Sequence, residues 1–134
     1  MNKFKVNLKK ISKIVLIGAV VIALVIMALQ WNYRRKVEKA ESDTRTFVNE
    51  NIDEFNAFIN NKEYKKAEAE FKGVKRYIDG YDPLVVRFSM AGFGLSISGT
   101  SVGFLYTEDI NGVNKGFELE KLENDNWYLY KDSN

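Results

Sequence analysis

Two carboxylates, Glu118 and Glu120, stand on alternate positions of Phe117-Glu118-Leu119-Glu120. On a strand such residues share a face about 7 Å apart, a spacing that superficially suits a general acid–base pair. Alternating charge on a strand with one wet face explains the same pattern without chemistry. A second oxygen-rich run, Glu108-Asp109-Ile110-Asn111-Gly112-Val113-Asn114, holds donors a calcium ion would accept. With Asp109 taken first, however, the sixth position is Asn114, where the calcium loop of an EF-hand needs Gly, so a hairpin loop is expected instead. Trp127, Tyr128 and Tyr130 could form an aromatic binding patch, but core packing by Trp127 and Leu129 accounts for the same alternation.

The chain has no His and no Cys. That removes the usual general base, the commonest metal ligand, the thiol nucleophile and any disulfide framework. No P-loop, GxGxxG or nucleophile elbow occurs. The expectation is a non-enzyme with no catalytic, cofactor-binding or metal-ligating residues. Residues 40–134 hold 17 Asp/Glu against 11 Lys/Arg, a net charge of −6. Such an acidic part lacks the basic stripe of a nucleic-acid surface, and no nucleic-acid partner is expected.

The elements that would position these residues fall into two halves. From Leu84 the apolar period is two: Leu84, Val86, Phe88 and Met90 share one face, with Val85, Arg87 and Ser89 opposite. Phe93, Leu95 and Ile97 continue the alternation past a turn or bulge at Ala91-Gly92, and Ser98-Gly99-Thr100 reads as a turn. Val102, Phe104 and Tyr106, then Phe117 and Leu119, then Trp127–Tyr130 supply further strands, the last two joined by Asn124-Asp125-Asn126. Short connections predict an antiparallel meander of four or five strands. Before it, Phe47, Val48, Ile52, Phe55, Phe58 and Ile59 recur at three- and four-residue steps, one face of a helix. Asn60-Asn61 ends it. Tyr64, Ala67, Phe71, Val74 and Ile78 predict a second helix, with a possible break at Gly73 and a firm stop at Asp79–Pro83. The fold class is α+β, amphipathic helices packed on one sheet.

Ahead of this domain lies Ile14–Leu29, sixteen residues without a charged or strongly polar side chain. As a helix it spans about 24 Å, and extension from Ile11 to Trp31 matches a hydrocarbon core of about 30 Å. Trp31 and Tyr33 sit where interfacial aromatics belong. The absence of a small–x–small pattern at Ala28-Leu29-Gln30-Trp31 favours a retained anchor over a cleaved signal. Ala19 and Ala23 make a small-xxx-small pair across which two copies could approach, leaving homo-oligomerisation open. Basic residues flank the segment on both sides, but moving five N-terminal Lys outward opposes an inside-negative potential by about 2.3 kcal/mol per charge per 100 mV. The expected layout is a basic cytoplasmic tail (1–13), a transmembrane anchor (14–31), a helical linker (32–46), continuous or broken near Ser42-Asp43, and an extracytoplasmic domain (47–134). Abundant Lys, Asn and Ile with scarce Pro suggest a bacterial cell membrane.

The stretch LSISGTSVGFLYTEDINGVNKGFELEKLENDNWYLY resembles the small domain of the cytochrome oxidase assembly factor 1 family, whose members carry one N-terminal span. The corresponding features here are Ile97–Gly99, Ser101–Tyr106, Asn111–Gly116, Phe117–Leu122, Glu123–Asn126 and Trp127. A second pattern, Asn61-x-x-Tyr64-x-x-Ala67 followed by a sheet ending in Asp125-x-Trp127, is similar to nuclear-transport-factor-2-like domains. Both resemblances imply an anchored module used for protein contacts. The expected partners are the bilayer and a membrane or extracytoplasmic protein. Alternatives are a ligand-binding domain with a cavity lined by Phe88, Phe104, Phe117 and Trp127, or a subunit of a secretion or conjugation complex.

Overall fold

The computed structural model describes the backbone of residues 2–95 and 98–133 and the side chains of 7–93 and 99–133. The chain divides into two compact units, Met1–Lys36 and Val37–Asn134.

In the first unit the backbone belongs to α1 (Asn2–Asn60). Every described side chain from Asn7 to Lys36 is exposed. Among the large apolar ones from Leu8 to Trp31, exposure runs from 49% at Ile26 to 70% at Ile14. By length and composition this helix can cross a membrane.

The second unit starts at Val37, earlier than the domain boundary expected at Phe47. Val37 and Thr44, within the stretch read as a linker, are 7% and 2% exposed. Sequence masks this because both sit among charged neighbours, whereas burial follows the helical period: Val37, Thr44, Val48, Phe55 and Ile59 recur at steps of three, four or their sums. No break occurs at Ser42-Asp43. The helix ends in a Schellman arrangement, with the Lys62 N–H donating to Ile59 O at 3.2 Å and the Glu63 N–H to Phe58 O at 2.9 Å. Lys62 takes the left-handed position of that motif, φ 57°.

After it come α2 (Lys65–Glu70), β1 (Lys75–Tyr81), β2 (Leu84–Leu95), β3 (Ser98–Thr107), a 3₁₀ turn (Ile110–Gly112), β4 (Phe117–Lys121) and β5 (Trp127–Ser133). The second helix expected to run from Tyr64 to Ile78 therefore stops at Glu70. Gly73 turns the chain at φ 90°, a backbone state other residues enter only at a cost, and Val74-Lys75-Arg76-Tyr77-Ile78 leaves as extended chain. Of Asp79–Pro83, expected to stop a helix, Asp79 to Tyr81 end β1 and Asp82-Pro83, joined by a cis bond, turn the chain into β2. Ser98-Gly99-Thr100 belongs to β3, not to a turn. Ile97, expected in the preceding strand, lies outside the described residues.

The sheet is five-stranded and antiparallel, in the order β1-β2-β3-β5-β4. It departs from a meander at one step: β5 inserts between β3 and β4, so β4 is an edge. On one face Val86, Phe88, Phe104, Trp127 and Leu129 pack with Val48, Phe55, Phe58 and Ile59 of α1 and with Ala67 of α2. Phe55 is the hub, fully buried, with ring centroids 4.8 Å from Phe104, 5.0 Å from Phe88 and 5.1 Å from Phe71. The other face carries a smaller core of Val85, Leu105, Val113 and Tyr130, with Phe117, Leu119 and Tyr128 against it.

Candidate functional site

Glu118 and Glu120 do share a face of β4, the face toward α1, and each meets a cation. The Glu118 carboxylate lies 2.9 Å from Lys131 Nζ, which also reaches Glu41 at 3.5 Å, and Glu120 lies 2.7 Å from Arg45. These ions tie an edge strand to its neighbour and to the helix. The hydrogen bond to Glu118 chiefly, with Glu41 adding and burial opposing, holds the Lys131 ammonium above the ordinary lysine range.

Asp109 caps the 3₁₀ turn: its Oδ1 accepts from the backbone N–H of Asn111 at 2.9 Å and from the Asn111 side chain at 2.9 Å. That is loop chemistry, as read from the sequence. Among the described residues no group of three or more carboxylates is placed to hold a metal ion.

The aromatic residues divide between the two faces. Trp127 is fully buried, and its indole N–H donates to Asn56 Oδ1 at 2.7 Å. Tyr130, a candidate for an aromatic binding patch, is 1% exposed in the second core. Phe117 packs there too, 5.3 Å from the Tyr130 ring, with Arg87 above both. It therefore cannot line one cavity with Phe88, Phe104 and Trp127, which lie across the sheet and in mutual ring contact. Arg87 itself is bound through two nitrogens to Asp79, at 2.8 and 3.2 Å, and lies 4.4 Å above the Tyr77 ring. Burial works against its charge, yet the bonds to Asp79 and Tyr130 prevail and raise its pKa.

What the sequence reading passed over is a groove of about 520 Å³ where the helical layer ends above β1. Arg76 and Ile78 stand opposite the buried Phe88 and Val86, which places them on the helix-side face. Across from them run Lys62, Glu63, Tyr64, Lys65 and Lys66, and Tyr81 closes one end. Lys66 is paired with Glu63 at 2.6 Å, whereas Lys62 and Lys65 form no ion pair among the described residues. The Arg76 backbone N–H is taken by Glu68 Oε1 at 2.8 Å, but its side-chain Nε is buried and has no hydrogen-bond partner among the described residues. A buried donor in that state costs about 1–3 kcal/mol. A signal was present in the sequence: six of the cations, Lys62, Lys65, Lys66, Lys72, Lys75 and Arg76, fall within fifteen residues of a domain that is acidic elsewhere.

Compared with known proteins, the chain matches no family model, no curated protein and no solved structure.

Proposed function

We infer that this chain is a single-pass membrane protein that keeps residues 14–31 as its anchor and uses its acidic α+β domain as a non-enzymatic interaction or assembly module. The observation that carries the reading is the exposure of every described side chain from Asn7 to Lys36, with the apolar ones spread around the whole helix. A helix apolar on all sides is stable in lipid, where its backbone groups are satisfied internally, and is an aggregation hazard in water. The tail lies in the cytoplasm and the domain outside, because the short Lys-rich tail is the part costly to move. A role in protein contacts is what both family resemblances imply. It also suits a domain whose candidate carboxylates are held by ion pairs to Lys131 and Arg45.

The test uses cell membranes carrying the full chain with a C-terminal epitope. The chain should resist carbonate extraction at its full length, and external protease should remove the epitope from intact cells. Release by carbonate, or a mature chain beginning after Gln30, would overturn the anchor. Full protection of the epitope would reverse the orientation. Cross-linking in those membranes should give a discrete adduct with one stoichiometric protein, and recovery of uncrosslinked chain alone would count against the module.

A further inference from the structure

We propose that the groove between β1 and the Lys62–Lys66 segment is a binding site for an organic phosphate ester, the phosphate held by Arg76, Lys62 and Lys65 and the organic part resting on Tyr64, Tyr81 and Ile78. This goes beyond the anchored-module reading and does not depend on it.

Three independent observations lead there. The first is charge. In a domain with a net negative balance, the groove lining gathers four cations against one carboxylate, Glu63, which is already engaged by Lys66, with Glu68 adjoining at the Arg76 backbone N–H. Potentials from clustered like charges raise the local concentration of oppositely charged ligands. The second is the orphaned donor. Arg76 lines the groove, and its buried Nε has no acceptor among the described residues, while Glu68 accepts from its backbone N–H. A guanidinium fork of this kind matches the oxygens of a phosphate through two parallel bonds. The third is shape. A volume of about 520 Å³ is that of a small-molecule site, and the tyrosine rings and Ile78 supply an apolar wall beside the cationic one. A bare ion would use only the first wall. An ester carrying an apolar or ring-bearing group uses both. Such an ester could be a soluble metabolite-like monoester or a lipid headgroup, and the chemistry recognised is the same.

The experiment is calorimetric titration of the full chain in phosphatidylcholine nanodiscs with three probes: phenyl phosphate, inorganic phosphate and a monomeric short-chain phosphatidylglycerol. At least one ester should bind saturably at one site, at least tenfold more tightly than inorganic phosphate. Tighter binding of phenyl phosphate identifies a soluble ester, and tighter binding of the lipid identifies a headgroup. Arg76→Met should weaken the better ester tenfold or more without lowering the melting temperature, since it removes an unpaired buried donor. Lys62→Gly, which puts glycine at a left-handed position and so preserves the fold, should weaken it about threefold or more. Lys115→Ala, which removes a cation outside the groove, should change nothing. No saturable heat with any probe to 10 mM (roughly the weak limit of a useful site), equal affinity for inorganic phosphate, or binding that survives Arg76→Met would each overturn the proposal.

Discussion

Gly103 shows how little room a single position can leave. It pairs with Ser89 on one side and Tyr130 on the other, and a methyl group there would run into the Phe88 carbonyl oxygen and come within 2.7 Å of Tyr130 Cε1. Neither backbone nor a buried ring can give way cheaply. Gly103→Ala should therefore lower unfolding free energy by about 1–3 kcal/mol, toward the upper end, read from a urea midpoint. Asn56 is a different case, a polar residue fixed by one buried donor. Asn56→Ala leaves the Trp127 indole N–H unpaired and should cost about 1–3 kcal/mol, whereas Phe55→Ala, emptying the centre of the ring cluster, should cost about 3–5 kcal/mol. At this scale much was legible. The core assignments of Trp127 and Leu129 follow from alternation alone, and the exposure of Glu118 and Glu120 follows from their spacing, although the face they share is the one toward α1. Arg76 was not legible, because a guanidinium in a charged stretch reads as solvated until topology puts a wall beside it.

Among the elements, the C-terminal part of α1 and the strands from β2 onward, apart from the Ser98–Thr100 start of β3, are written in the period of their apolar residues. β1 is not. Tyr64, Ala67, Phe71, Val74 and Ile78 satisfy helical spacing to the end, yet the chain turns at Gly73, φ 90°, and Lys75 to Ile78 belong to a strand. The placement of β5 between β3 and β4 is equally hidden, since a short connection makes β5 a neighbour of β4, whereas its pairing with β3 has no connection to announce it. Paired titratable groups, one of them on the edge strand β4, give the domain a pH signature. Lys131 is raised by Glu118, Lys66 by Glu63, and Tyr106 by burial and by its bond to Glu108. Each folded pKa lies above its unfolded value. The corresponding stability is thus fully present below about pH 10 and is lost as pH climbs through the folded values. Urea midpoints measured from pH 8 to 11 should fall at the alkaline end. Lys131→Arg keeps the charge without titrating and should make that fall shallower, with a change at neutral pH within about 1 kcal/mol because the pair is partly exposed.

At the scale of the whole chain, the apolar helix and the acidic domain are separable in composition, and the sequence alone locates both. The compact unit that holds the sheet begins at Val37, where burial begins, ahead of its first large apolar residues at Phe47. Orientation, as proposed, rests on a narrow asymmetry, because basic residues bracket the span on both sides. Replacing Lys5, Lys9 and Lys10 with Gln should therefore produce a mixed population, part of it with a protease-protected C-terminus, while Arg34→Gln with Arg35→Gln should leave a single, accessible population. Unchanged accessibility in the first variant would show that something other than the tail sets the topology. The two tryptophans offer a way to watch both units at once. Trp31 is 67% exposed at the end of the apolar helix, and Trp127 is fully buried with its indole bonded to Asn56. Fluorescence from Trp31 should be quenched by brominated lipid and ignore denaturant at low concentration. Emission from Trp127 should escape the bromine and shift to the red only when the sheet comes apart, so Trp31→Phe and Trp127→Phe variants would turn one spectrum into separate readings of insertion and of unfolding.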